Sequence, residues 1–274
     1  MSFLVLLLVG LIVRFTPWRH GFPLDAPGFW ARRIVEGAPY RAVWPTLALL
    51  ALPLLLAGFV LWSIGGQLYG LLTLVAHVVL LLFAIGRHDP LGSMASPFEE
   101  AWQRSDQEAA YHIARRDLDL DCENPDDLLR QVDASIGCAA FRDYVAPVFW
   151  YLLLGPLGAL GYRLLNRFEL QAGHPAHPSV TRMTHALEWL PARLFAMSLA
   201  LVGDFERTLG LVKGWLLSWE ISADQVVADC IAAALGDEQA VDSAPLAVLR
   251  PVRVLVTRSL LVWAACIAFF SLFG

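Results

Sequence analysis

Two runs of about 20 residues carry no formal charge, WPTLALLALPLLLAGFVLWSI (44–64) and QLYGLLTLVAHVVLLLFAIG (67–86). Each is long enough to cross a hydrocarbon core of ~30 Å. They commit the chain to an all-α, polytopic helical membrane protein. Composition agrees, with 57% hydrophobic residues and 16% charged, against about 45–50% apolar in soluble domains. The mean hydropathy is +0.57. The opening SFLVLLLVGLIV resembles a signal-peptide core, yet no small-residue cleavage site follows Arg14, so it reads as a retained, short or tilted anchor. The last segment, 251–274, is strongly apolar only after Arg258 and spans if its arginines snorkel.

Arg14, Arg19, Arg32, Arg33 and Arg41 crowd the loop before the first run, whereas the turn at Gly65 and Gly66 has no charge. The positive-inside rule places 14–43 in the cytoplasm and the turn outside. The expected organisation is a membrane part over 1–86, a cytoplasmic helical module over 87–143, broken membrane and interfacial segments over 144–219, a soluble helix and loop over 220–250, and a membrane helix over 251–274. The net charge is −5 with basic residues scattered singly, which argues against a nucleic-acid partner. Cys122, Cys138, Cys230 and Cys266 form no CxxC pair and read as reduced thiols with neither metal nor disulfide.

Ser96, Pro97 and Glu99 hold the N-cap, N1 and N3 positions of a capping box, predicting one helix over PFEEAWQRSDQEAAYHIARR with Trp102, Ala109 and Ile113 on its apolar face. Asn124, Pro125 and Asp127 repeat that start signal for a second helix. Then comes VAPVFWYLLLGPLGALGYRLLN (145–166), whose centre holds Gly155, Pro156 and Gly158. A full crossing here puts Arg163, Arg167, Arg182 and Arg193 outside, against the charge rule, unless the chain turns back at GPLG. Two readings stand: a broken or re-entrant segment lining a site, or a proline-kinked span packed through its glycines. LFAMSLALV, interrupted by Gly203 and Asp204, is too short to span and reads as an amphipathic or half-inserted helix within 189–219.

The acidic run DLDLDCENPDD (117–127) fails as a calcium loop, because Cys122 and Leu128 stand where glycine and a bidentate glutamate are needed. It reads as a solvated loop, with a nucleotide-borne magnesium at Asp117 as the cofactor reading. His174 and His177 have metal-like spacing, but prolines keep a regular helix from aligning them. His77, inside an uncharged run, is a functional candidate or a neutral histidine bonded to a neighbouring helix. No GxSxG, Walker loop or GxGxxG at a strand-to-helix turn is present. What remains is a polar set around the apolar breaks: Arg116 and Asp117, Arg142 and Asp143, Arg163, Asn166 and Glu169, and Glu188 with Arg193. A guanidinium near membrane depth needs a carboxylate or an anionic ligand.

At these residues the chain resembles a family. FRDYVAPVFWYLLLGPLGALGYRLLN followed by THALEWLPARLFAMSLALVGDFE is similar to AmpE, inner-membrane proteins associated with β-lactamase induction, and so antibiotic resistance, and with cell-wall recycling. AmpE in turn is similar to the cobalamin-biosynthesis CobD/CbiB membrane synthases, which make an amide in an ATP-dependent condensation. IARRD (113–117) matches their VGRD, YVAPVFW their APLF stretch, YRLLNRFE (162–169) their YKxxNTxD, and LPARL (190–194) their LPARL. Cys138 and Ala139 stand where the synthases carry an acid and an Asn, and Thr184 and His185 where they carry paired Asp. The resemblance therefore implies a sensory or modulating membrane protein rather than an active ligase. Its implied ligand residues are Arg116, Asp117, Arg163, Asn166, Glu169 and Arg193, in a pocket at the cytoplasmic membrane face. The expected partners are the lipid bilayer, an anionic small molecule or an envelope protein, and a second copy of the chain.

Overall fold

The apolar runs are helices in the computed structural model, which describes residues 2–15, 29–30, 33, 43–65, 70–86, 89–120, 125–169, 176–236 and 248–273; these contain no β-strand. Arg19, Arg32, Arg41, Gly66, Asp121, Cys122, Asn124 and His174 lie outside the described residues. Two compact units divide the chain, one drawn from 1–87 and 146–188, the other from 88–145 and 189–273.

The first unit holds α1 (Ser2–Phe15), α2 (Val43–Ile64), α3 (Leu71–Ala84), α7 (Ala146–Glu169) and the first half of α8 (His177–Val202). The 22 residues of α2 rise about 33 Å at 1.5 Å each. Pro53 lies inside it without interrupting it. The expected 20-residue helix over 67–86 is shorter: α3 has 14 residues, opening after Gly70 at φ 83° and closing at an extended Ile85. Leu50 of α2, Leu160, Leu164 and Phe168 of α7, and Ala176 and Val180 at the start of α8 form one buried cluster. Residue 168 thus meets 176 and 180, as an antiparallel helical hairpin requires.

The second unit contains α4 (Ser96–Gln103), α5 (Gln107–Leu118), α6 (Pro125–Ala140), a π-turn (Phe141–Val145), the rest of α8, α9 (Phe205–Trp215), α10 (Ala223–Leu235) and α11 (Arg250–Phe273). The single helix expected after Ser96 is two. Ser105 takes φ 58° and Asp106 caps the second, accepting from the Ala109 amide at 3.0 Å. The buried face is accordingly Phe98, Ala101, Ala110 and Ala114 rather than Trp102, Ala109 and Ile113. The capping box does not close. The Ser96 hydroxyl donates back to the Gly92 carbonyl at 3.0 Å, and Glu99 accepts from Arg253 at 2.7 Å, an ion pair that outweighs an N-terminal amide.

Nor does LFAMSLALV form a helix of its own. LFAMSLALV is the end of a 26-residue helix that begins at His177 and continues through Pro191. After Gly203 the chain restarts as α9, capped by Asp204, which accepts from the Arg207 amide at 3.1 Å. Two described stretches, 127–168 and 250–271, are long and apolar enough to cross a membrane. Leu55, Phe59 and Trp62 of α2, Leu153 and Leu154 of α7, Leu201 of α8, and Phe269 and Phe270 of α11 are exposed. Apolar surface this extensive belongs against lipid. Cys138, Cys230 and Cys266 are free thiols, and burial together with Asp229 pushes the Cys230 thiol up to about 12.

Candidate functional site

The break in α7 is real and has a backbone cause. Gly155 takes φ 71°, ψ −162°, a region open essentially to glycine alone, and Pro156 follows without an N–H to rejoin the ladder. A Cβ on Gly158 would stand 2.7 Å from the Trp150 carbonyl oxygen, whereas eight residues of straight helix rise about 12 Å. The axis therefore turns sharply, and only a residue without a side chain fits at 158. Before the break, the Tyr151 hydroxyl lies 3.2 Å from Nδ1 of His77 on α3. His77 is thus the histidine bonded to a neighbouring helix.

Trp150 has a second task. Pro191 cannot donate to the carbonyl of Leu187, four residues earlier in α8, and the Trp150 indole N–H donates to that carbonyl at 3.2 Å. The proline of LPARL leaves an acceptor open, and α7 fills it.

Beyond the break α7 becomes polar on a buried side. Tyr162, Arg163 and Asn166 are all buried there, as are Thr184 and Glu188 on the facing part of α8. The Tyr162 hydroxyl donates to Glu188 Oε1 at 2.8 Å, pinning the hairpin register. Asn166 stands one turn past Tyr162 and Thr184 one turn before Glu188, so the two occupy one level of an antiparallel pair. Asn166 is 6% exposed and Thr184 1% exposed. Thr184 Oγ1 has no hydrogen-bond partner. Burying such a group without a partner costs about 1–3 kcal/mol on protein scales. Arg163 and Glu188, by contrast, are both engaged by neighbours. The set offers a guanidinium, a carboxylate, an amide and two hydroxyls. Of the expected residues Arg163, Asn166 and Glu169 share the last turns of α7, although the Glu169 side chain lies outside the described residues. Thr184 drew notice in the sequence only as a lost carboxylate.

The other expected residues belong to the second unit. Arg116 and Asp117 form an exposed bidentate pair, Nε to Oδ1 at 2.7 Å and Nη2 to Oδ2 at 2.8 Å. This contact holds the Asp117 carboxyl below its ordinary range and raises Arg116. Both Asp117 oxygens thus already face a guanidinium, and among the described residues no three His, Cys, Asp or Glu side chains converge as a metal site. Arg193 is buried and donates to the carbonyls of Trp189 (2.9 Å), Leu216 (3.1 Å), Trp215 (3.5 Å) and Ser218, with its guanidinium carbon 4.3 Å from the Trp189 ring centroid. It closes the C-terminal end of α9, where helix carbonyls lack amide donors. Arg142 pairs with Asp224 of α10, and the Cys138 thiol points to the Asp224 carbonyl at 3.6 Å.

A family model described as regulatory signalling modulator protein AmpE matches residues 2–274. The chain belongs to the AmpE family. At the family level it is a membrane regulatory protein. It is 28% identical to protein AmpE of Shigella flexneri over 42% of this chain and 43% of that protein. It is equally 28% identical to the cobalamin biosynthesis protein CobD of Stutzerimonas stutzeri over 70% of this chain and 66% of that protein, and to CobD of Chromobacterium violaceum over 60% and 53%. These matches span less than two thirds of each relative's length. No solved structure matches the chain. In this AmpE-family chain the stretch resembling YKxxNTxD supplies Arg163 and Asn166, while LPARL supplies a proline that frees a carbonyl and an arginine that closes a helix.

Proposed function

We propose that this chain is a multi-pass inner-membrane sensor that modulates β-lactamase induction in response to cell-wall status. Its ligand site is the buried polar level of the α7–α8 hairpin, with Asn166 and Thr184 as the recognition groups. The observation that carries this reading is the buried Thr184 hydroxyl, which has no hydrogen-bond partner and lies at the level of buried Asn166, since evolved interiors satisfy most buried polar atoms. Arg163 supplies positive charge, so an anionic small molecule fits best. Placement of Arg163, Arg167 and Arg182 on this hairpin supports a cytoplasmic-face position, by the same charge rule that puts 14–43 inside. The division into a membrane part, a cytoplasmic module over 87–143 and a C-terminal membrane helix is part of the proposal. Impermeant thiol labelling in intact cells tests it: a cysteine introduced at Asp106 stays unlabelled, whereas labelling there inverts the topology.

The test of function is an inducible β-lactamase reporter. Asn166→Ala and Thr184→Val abolish the wild-type response while membrane level and melting temperature stay unchanged. A normal response from both, at normal levels, removes the site. The CobD similarity supports a second reading, an amide-condensing enzyme on the same scaffold. It requires ATP-dependent amide formation with corrinoid substrates by the purified chain. Thr184 and His185 in place of paired Asp, and Cys138 and Ala139 in place of an acid and Asn, weigh against turnover.

A further inference from the structure

In the second unit, the first turns of α11 form a wall of a cleft of about 400 Å3 lined by Glu99, Arg250, Arg253, Val254, Thr257 and Arg258. Three guanidiniums face one carboxylate there, although the chain as a whole is acidic. Arg253 is committed: it donates to Glu99 at 2.7 Å and to the Gly92 carbonyl at 3.3 Å. Arg250 and Arg258 are exposed and make no ion pair among the described residues. Positions 250, 254, 257 and 258 fall on one helical face, so the two uncommitted arginines stand about 12 Å apart along it with Val254 and Thr257 between them. Beyond Arg258 the helix becomes an exposed apolar surface, Leu261, Phe269, Phe270 and Phe273, within a stretch long and apolar enough to cross a membrane.

We propose that this cleft binds the phosphate headgroup of an anionic glycerophospholipid, held by Arg250 and Arg258, with the acyl chains lying along the apolar face of α11. A free inorganic anion would use the arginines but gain nothing from Leu261 and the phenylalanines below them; a lipid uses both. Arg253 positions the site, because its pairing with Glu99 withdraws the cleft's carboxylate from the incoming phosphate.

Native mass spectrometry of the purified full chain in neutral detergent, titrated with phosphatidylglycerol or phosphatidylcholine of identical acyl chains, tests this. The wild type binds phosphatidylglycerol in preference. Arg250→Gln with Arg258→Gln weakens that binding roughly thirtyfold, about fivefold for each arginine near a lipid headgroup, and leaves phosphatidylcholine binding unchanged. Arg250→Lys with Arg258→Lys retains most of it, because the charge remains. Millimolar inorganic phosphate does not displace the bound lipid. Equal binding of the two lipids by the wild type, or wild-type affinity in the double Gln variant at an unchanged melting temperature, overturns the proposal. Displacement by inorganic phosphate also overturns it and makes the cleft a free-anion site.

Discussion

In the second unit Arg193 donates to the carbonyls of Trp189, Trp215, Leu216 and Ser218, while Arg142 and Arg253 are matched to Asp224 and Glu99. In the first unit Asn166 and Thr184 are just as deeply buried, and the Thr184 hydroxyl has no hydrogen-bond partner. The second unit also has buried side-chain atoms without a hydrogen bond, among them Thr208 Oγ1, Asp224 Oδ1 and Arg253 Nε, but the last two belong to ion-paired groups and Thr208 lies in the first turns of α9, whereas Thr184 shares one level of a hairpin with Asn166, beside Arg163 and Glu188. Buried charges paired in this way fix a fold. A buried unbonded hydroxyl at one level of the hairpin, past a broken helix, is the feature on which the proposed site rests.

Substitutions can break or sharpen this contrast. The largest effect is expected at Arg193→Ala, which removes the guanidinium's bonds to the carbonyls at the end of α9 and costs roughly 3 kcal/mol, one to two charge-assisted hydrogen bonds; Arg193→Lys recovers only part, lacking the planar fork. A thermal melt in detergent reads this directly. Tyr162→Phe comes next. It removes a buried donor to a carboxylate and costs about 1.5–3 kcal/mol. Asn166→Leu and Thr184→Val are expected to change stability by less than about 0.5 kcal/mol, or to raise it, because no hydrogen bond is lost and a desolvated polar group is removed. A loss there as large as at Tyr162 would show that the two groups are structural. Smallest of all, Arg116→Ala leaves the melting temperature unchanged, since an exposed pair in water contributes little.

How much of this could be read in the sequence follows from how local each cause is. GPLG signalled an interruption of α7, read either as a broken segment or as a proline kink, because glycine and proline act through their own backbone, and Gly155 takes a positive φ. The restart at Asp106 was hidden inside a polar run, although a serine and an aspartate ahead of Gln107 and Glu108 are themselves an N-cap signal. His177 as the start of α8 was obscured by Pro178, read as a breaker but tolerated in a first helical turn. The failed capping box has a distant cause, as Glu99 is drawn to an arginine 154 residues away. The same limit applies at the site. Arg163 and Asn166 were legible as polar residues past an apolar break, but the Tyr162–Glu188 bond, and with it the facing level of Thr184, depends on a register no local pattern encodes. Nothing around LPARL signals that its arginine turns to the carbonyls ending the next helix.

The most direct test of the open polar level is mass spectrometry of small molecules that copurify with the chain from native membranes, comparing wild type with Asn166→Leu. The wild type is predicted to carry an anionic species that is lost from Asn166→Leu at equal yield and equal or higher melting temperature. An identical set of copurifying molecules in the two preparations would contradict the account.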